Sequence, residues 1–497
     1  MRVLQHAEGL GAIMRTWDEL VSDLEDLAYE MREKADAEPE PQPPDPQPPN
    51  GDVITVPAGG DLQAAINDAP DGAILELVGG AEYAGRFKIK KPVTIRTGGV
   101  VVDGRITPDA APALALLPDG LQVMPRTCDV AIACVAIGGK NLNDIVMAGS
   151  ADGTESDPQT TPEQQPDRVT FDQVIIRGHA TDGAKRGIGA NCKNLTIRRS
   201  YIGDIFRAGQ DTQAICGWNG EGPFLIEDNT LEAAGENIMF GGSMPLIPGL
   251  IPADITIRGN TIRKPLEWKS KNYTVKNLIE FKVGKRIAIT GNVLENSWAA
   301  GQMYALVITP VNDGPLPEAT VSDYTFERNT VTGASCGFNI LGFGQEGPTV
   351  ASARITIVDN YFQISKRENG GQGWFMQIGK TPIDLHVEYN TIQMDGNQYI
   401  QGNAPAGVQG FRFVRNIVQN IGAYGTSLNW NGTDQKNGAN WPDYFPGGAM
   451  SDNAFAGDNS TFKKNLPNNL HVATADAADL VVDGYGVGAF EGYGRRR

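Results

Sequence analysis

Glu232, Glu236, Glu295 and Lys282 are the side chains in this sequence whose types and spacing suit acid–base work. Two carboxyl groups about 5–9 Å apart suit cleavage of a glycosidic bond, one as acid and the other as nucleophile or base. Glu232 or Glu236 would meet Glu295 if the chain stacked equivalent positions two structural repeats apart. Lys282, or Lys285, would instead suit the base of a β-elimination from uronic acids. Asp211, Trp218, Asn219, Trp268 and Trp298 lie nearby and outside the apolar pattern described below, as do Glu267, Glu280 and Asn296. An indole ring stacks on a sugar face and carries an N–H that can hydrogen-bond. The alternative for each acid is a hydrogen bond to loop backbone, and for each indole, packing beneath a loop.

Composition narrows what such groups would act on. The 497 residues include 42 Lys or Arg against 59 Asp or Glu, a formal charge of −17. Nucleic-acid binding is built from basic excess, so nucleic acid is excluded as a partner. Anionic membrane surfaces are disfavoured, whereas neutral sugars are accommodated. No stretch approaches 18 apolar residues, so no membrane insertion is expected. The opening MRVLQHAEGLGAIMRTWDEL lacks the apolar core of a secretory signal, which points to a protein made in the cytoplasm and not exported by the usual route. Five widely spaced cysteines without a CxxC pair indicate neither a disulfide framework nor a zinc site. No cofactor is expected.

The elements that must position these groups are written as a repeat. ITIRGNTI at 255–262 returns as FLIEDNTL, IAITGNVL, YTFERNTV, ITIVDNYF, LHVEYNTI and FRFVRNIV. The marker residues are Asn229, Asn260, Asn292, Asn329, Asn360, Asn390 and Asn416, spaced 26 to 37 residues apart. Three positions before each marker stand Ile226, Ile257, Ile289, Phe326, Ile357, Val387 and Phe413; two positions after it the residue is again apolar. Alternation with period two is a half-buried strand, and the asparagine marks a bend. A unit this short cannot bury its own apolar face, so the units must stack into a solenoid with one shared core. Equivalent asparagines would then form a ladder at the strand spacing of about 4.8 Å. Stacking would also set Glu227 beside Arg258 and Arg328 beside Asp359 as complementary pairs. Intervals near 31 residues exceed the low twenties of a plain coil, so the excess must leave as loops, which line one binding face in solenoids.

Three segments follow. In residues 1–36, Leu10, Ile13, Trp17, Leu20, Leu24, Leu27 and Met31 form an a/d heptad seam, the pattern of a short coiled coil. Residues 37–50, AEPEPQPPDPQPPN, are a proline-rich spacer. A helix held off its own body must bury its seam on another chain, so residues 10–31 are expected to make a homo-oligomer. Residues 51–497 are the solenoid body.

The body resembles the right-handed parallel β-helices of the pectate-lyase-like superfamily. VITVPAGGDLQAAINDAPDGAILELVGG (53–80) is similar to their N-terminal cap, and VVDGYGVGAFEG to their closing signature. Residues 209–242 and 275–302 resemble stretches of a bacterial β-helix group without an assigned reaction, so no site residues carry over. The calcium-dependent lyase pattern, several Asp on neighbouring coils facing an Arg, is not found, so calcium is not indicated. The resemblance implies an all-β fold and a glycan as partner. Three functions remain open. One is a phage virion appendage, made in the host cytoplasm and joined to other virion proteins through its N-terminus, that grips or cuts cell-surface polysaccharide. The second is an extracellular bacterial polysaccharide lyase or glycoside hydrolase. The third is a non-catalytic structural rod.

Overall fold

The computed structural model describes residues 51–139, 142–150, 153, 157–314, 316–344, 347–396, 398–403, 407–420, 428–430, 444–456, 468–472, 481–482, 485–486 and 494–496. The heptad seam and the proline-rich spacer lie outside the described residues, as does most of the closing signature.

One coil shows how the chain winds. Strand Phe224–Glu227 leads through Asp228 and Asn229 into strand Thr230–Ala233. A two-residue corner, Ala234 and Gly235, turns into strand Glu236–Phe240, and a loop then returns the chain to strand Ala253–Arg258, one rung further on. Repetition builds three parallel sheets of 14, 13 and 12 strands among the described residues, here sheets 1, 2 and 3. In sheet 1 every strand neighbours the equivalent strand of the coil before and after it.

The register follows the apolar alternation. Ile226, Ile257, Ile289, Phe326, Ile357, Val387 and Phe413 are successive partners across sheet 1, and each is at most 1% exposed. Leu231, Ile262, Leu294, Val331, Phe362, Ile392 and Val418 form the matching column of sheet 2. These columns belong to a single continuous hydrophobic core. The helix Leu62–Asp68, capped by the Asp61 side chain, adds Leu62 and Ile66 to that core near its N-terminal end. Covering an end keeps apolar surface and strand edges from water.

The asparagines form the expected ladder. Asn260 N–H donates to Asn292 Oδ1 at 2.9 Å, Asn292 to Asn329 at 2.9 Å, and Asn329 to Asn360 at 2.8 Å. The ladder runs further than the sequence repeat, from Ser200 N–H on Asn229 to Asn453 N–H on Asn469. Of the two expected charge pairs, Arg258 meets Glu227 at 2.7 Å. The other is corrected: Arg328 pairs with Glu327 on its own strand, and Asp359 pairs with Arg496. Arg328 holds a left-handed conformation, φ 53°. It stands at the bend after strand Val321–Glu327, and the carboxylate of Asp359 is occupied by Arg496 instead. No helix among the described residues is long and apolar enough to cross a membrane.

Candidate active site

The corner at Ala234 and Gly235 divides the sequence-selected acids between two faces. Glu232 lies on sheet 2, in register with Arg263 of the next coil, which is in register with Glu295 of the coil after. The two acids are thus two strand spacings apart, about 9–10 Å along the stack, with a guanidinium between them. Arg263 Nη2 meets Glu232 Oε1 at 2.7 Å, and Tyr201 Oη donates to Glu232 Oε2 at 2.6 Å. These groups line a cavity of about 550 Å³, closed on one side by Ile106–Pro108 and on another by Pro265–Glu267. Both oxygens of Glu232 are engaged. Burial pushes the Tyr201 phenol well above its usual range, so this hydroxyl stays a donor.

Glu236 lies around the corner on sheet 3 and does not meet Glu295. It is 1% exposed, accepts from Gln213 Nε2 at 2.7 Å, and pairs with Lys276 Nζ at 3.3 Å. Lys276 also meets Asp211 at 2.5 Å, which places Asp211 on the rim of this cluster. Glu280 rises from the next strand, Ile279–Phe281, in register with Met239, and its carboxyl lies against that of Glu236. It is 4% exposed, and its Oε2 is buried without a hydrogen-bond partner. Burial, and then the charge of Glu236, push its pKa up to about 7, against the opposing pull of Lys282 and Lys276. Two carboxyl groups in contact cannot both be ionised at low cost, so Glu280 holds its proton to higher pH than a free carboxyl does. Lys282 thus stands beside the pair, whereas Lys285 lies on sheet 1.

No family model matches this chain, and no curated protein matches it. Solved structures do. A mannuronic acid specific polysaccharide family 6 lyase from human gut microbiota superposes with a TM-score of 0.50 at 12% identity, covering 86% of this chain and 92% of that one. The catalytic unit of a thermostable GH87 α-1,3-glucanase from Streptomyces thermodiastaticus strain HF3-3 does so at 0.51 and 13%, covering 86% and 71%. The tailspike of E. coli bacteriophage HK620 gives 0.44 and 10%, covering 86% and 77%. The chain winds as a right-handed parallel β-helix. At these identities the likeness concerns the winding alone.

The remaining selected residues are placed by the loops of the β-helix. Trp218 is 3% exposed, packed with Met147, Cys216 and Met239, with the Arg186 guanidinium 4.8 Å from its ring centre. Trp268 and Trp298, 6% and 8% exposed, pack with Phe206, Ala234 and Val275 over the corner between sheets 2 and 3. Asn219 is fully buried and accepts from the main chain of Leu246 and Ile247 while donating to Gln159 O. The three indoles and this amide hold loops on the β-helix, and no open ring face is left among them for a sugar. Glu280 is the member of the acid pair to which the spacing argument assigns no role. The available signal was an acid inside the apolar strand Ile279–Phe281, where burial of a carboxyl is expensive unless it keeps its proton.

Proposed function

We propose that the β-helix hydrolyses a neutral polysaccharide at the Glu236–Glu280 pair, and that it does so as part of a phage virion appendage that grips cell-surface glycan. The observation that carries the chemistry is the buried carboxyl of Glu280, whose Oε2 has no hydrogen-bond partner and which stands beside a Glu236 carboxylate ion-paired to Lys276. Carboxyl groups in contact are too close to flank the bond, so the pair acts as one acid–base unit. Glu280 donates its proton to the glycosidic oxygen as the C–O bond breaks and recovers one from the water that adds to the sugar carbon, with Glu236 beside it. The leaving hydroxyl and the new hemiacetal account for both halves of that water, and the pair ends with one proton as it began.

A neutral substrate is favoured by charge. A formal −17 on the chain repels polyuronates, and β-elimination requires one. The virion setting is supported by the heptad seam and proline-rich spacer of residues 1–50. The test is incubation of the full chain with a panel of neutral and uronate-containing bacterial polysaccharides. Hydrolysis gives new reducing ends without ultraviolet absorbance of an unsaturated uronate, and Glu280→Gln lowers the rate at least about 100-fold. Absorbance on a uronate polymer would replace hydrolysis with elimination through Lys282. No product from any polymer would leave a binding or structural rod.

A further inference from the structure

Lys264 is fully buried, and the proposed chemistry does not use it. It follows strand Thr261–Arg263, and its side chain turns back beneath the preceding coil. Nζ donates to the main-chain oxygens of Ala233 at 3.0 Å, Ala234 at 3.1 Å, Gly235 at 2.6 Å and Asn277 at 3.2 Å, and to Asn237 Oδ1 at 3.1 Å. The orientation of the Asn237 amide is fixed independently, because its Nδ2 donates to Leu231 O and Arg263 O. Five oxygens therefore converge on one nitrogen. Burial pulls the pKa of this group down to about 7 and the nearby charge of Glu236 pulls it up. An ammonium has three N–H donors and no lone pair to set against those oxygens, whereas the neutral amine has two donors and a lone pair. The cage fits the ammonium.

The cage oxygens belong to the two segments that carry the acids. Residues 233–235 and 237 flank Glu236 on both sides, and Asn277 stands just before the strand that bears Glu280. We propose that Lys264 is the positioning residue of the acid pair: an internal cation that ties the Glu236 corner to the entrance of the Glu280 strand and keeps a positive charge behind Glu236. The inference rests on the acid–base reading of that pair, although the cage does not. The other charges facing the pair are Lys276 and Lys282, with Asp211 beyond Lys276.

The test is Lys264→Ala in the full chain. Its thermal midpoint falls, and ammonium or methylammonium chloride restores part of the loss by occupying the vacated cage, whereas sodium and tetramethylammonium chloride at equal concentration do not. The Glu280 titration midpoint, followed by NMR of carboxyl-labelled glutamate and assigned by its loss in Glu280→Gln, rises by about half a unit or more once the positive charge is gone. Ammonium brings it back. Lys264→Met refills the volume without the charge and keeps the raised midpoint. A side chain that only fills space would lose stability equally in all four salts and leave the midpoint unmoved in both variants; that result overturns the proposal. Should Lys264→Ala not fold in buffer, its refolding yield in ammonium against sodium chloride reads the same site. Failure of the wild type to cleave any polymer would remove the hydrolase reading while leaving the ammonium and titration results in force.

Discussion

Glu280 holds a proton that the same side chain would give up in water. Its carboxyl is buried, one oxygen has no partner, and the ion-paired Glu236 stands beside it. A group whose folded pKa lies above its unfolded value binds more protons folded than unfolded between the two. Here the interval runs from 4.5 to about 7. Stability from this group is therefore fully present below about pH 4.5 and is lost as pH rises to about 7. The expected outcome is a thermal midpoint that declines from pH 5 to pH 7, and a Glu280→Gln variant in which that part of the slope is gone. Calorimetry of both proteins across the interval checks it. Glu232 offers the contrast: buried on sheet 2, it has Arg263 on one oxygen and Tyr201 on the other, so neither oxygen lacks a partner.

At the scale of elements, the bends matter more than the charges beside them. The residue before each ladder asparagine is left-handed: Asp228 at φ 54°, Gly259 at 64°, Gly291 at 63°, Arg328 at 53°, Asp359 at 57°. For residues other than glycine that conformation costs roughly 1–2 kcal/mol, and the buried asparagine hydrogen bonds offset it. Asn292→Ala removes the acceptor of Asn260 N–H and the donor to Ile257 O, both buried. The expected loss is about 2–4 kcal/mol, read from denaturant unfolding. A second left-handed column begins sheet 1, where Asp254, Arg286, Asp323 and Arg354 stand on successive coils. Arg286 meets Asp254 at 2.6 Å and Arg354 meets Asp323 at 2.5 Å. Those side chains are a third to a half exposed, so Arg286→Ala is expected to cost less than about 1 kcal/mol, and less again at high salt.

At the scale of the whole molecule, segments remote in sequence are laid along the outside of the stack near the asparagine bends. The loop carrying Arg105 bonds to Asp228, Thr261 Oγ1 and Gly259 O, more than a hundred residues onward. Arg495 donates to Thr330 Oγ1 and Arg496 embraces Asp359, whose carboxylate is otherwise buried. Arg496→Ala leaves that carboxylate without its cation, and a loss of about 1–3 kcal/mol is expected in thermal or denaturant unfolding, with Asp359→Asn recovering part of it in the double variant. A solenoid whose coils contact only their neighbours gains long-range cooperativity from such clasps. Deletion of residues 1–36 tests the remaining segment. The expected outcome is loss of the oligomer by light scattering with the thermal midpoint of the body unchanged; a body still oligomeric would assign the heptad seam another purpose.

By itself the sequence determined the winding. Period-two alternation around a recurring asparagine dictates strands that stack in register, because a one-residue slip would turn every Ile and Phe of the column to water. The ladder from Asn229 to Asn416 and the Glu227–Arg258 pair follow from that rule. What only the tertiary structure decided was which polar groups meet. Register places Glu232 and Glu295 in one column, but the corner at Ala234 and Gly235 sends Glu236 to another face, where it finds Glu280. Of the indoles that sequence set among the binding groups, Trp268 and Trp298 are folded over the corner and Trp218 is packed with Met147, Cys216 and Met239, while Lys264, one basic residue among many in the text, becomes a caged cation. Strand columns are local and periodic, so a sequence shows them; corners and loops are neither, and the chemistry of this β-helix is made there.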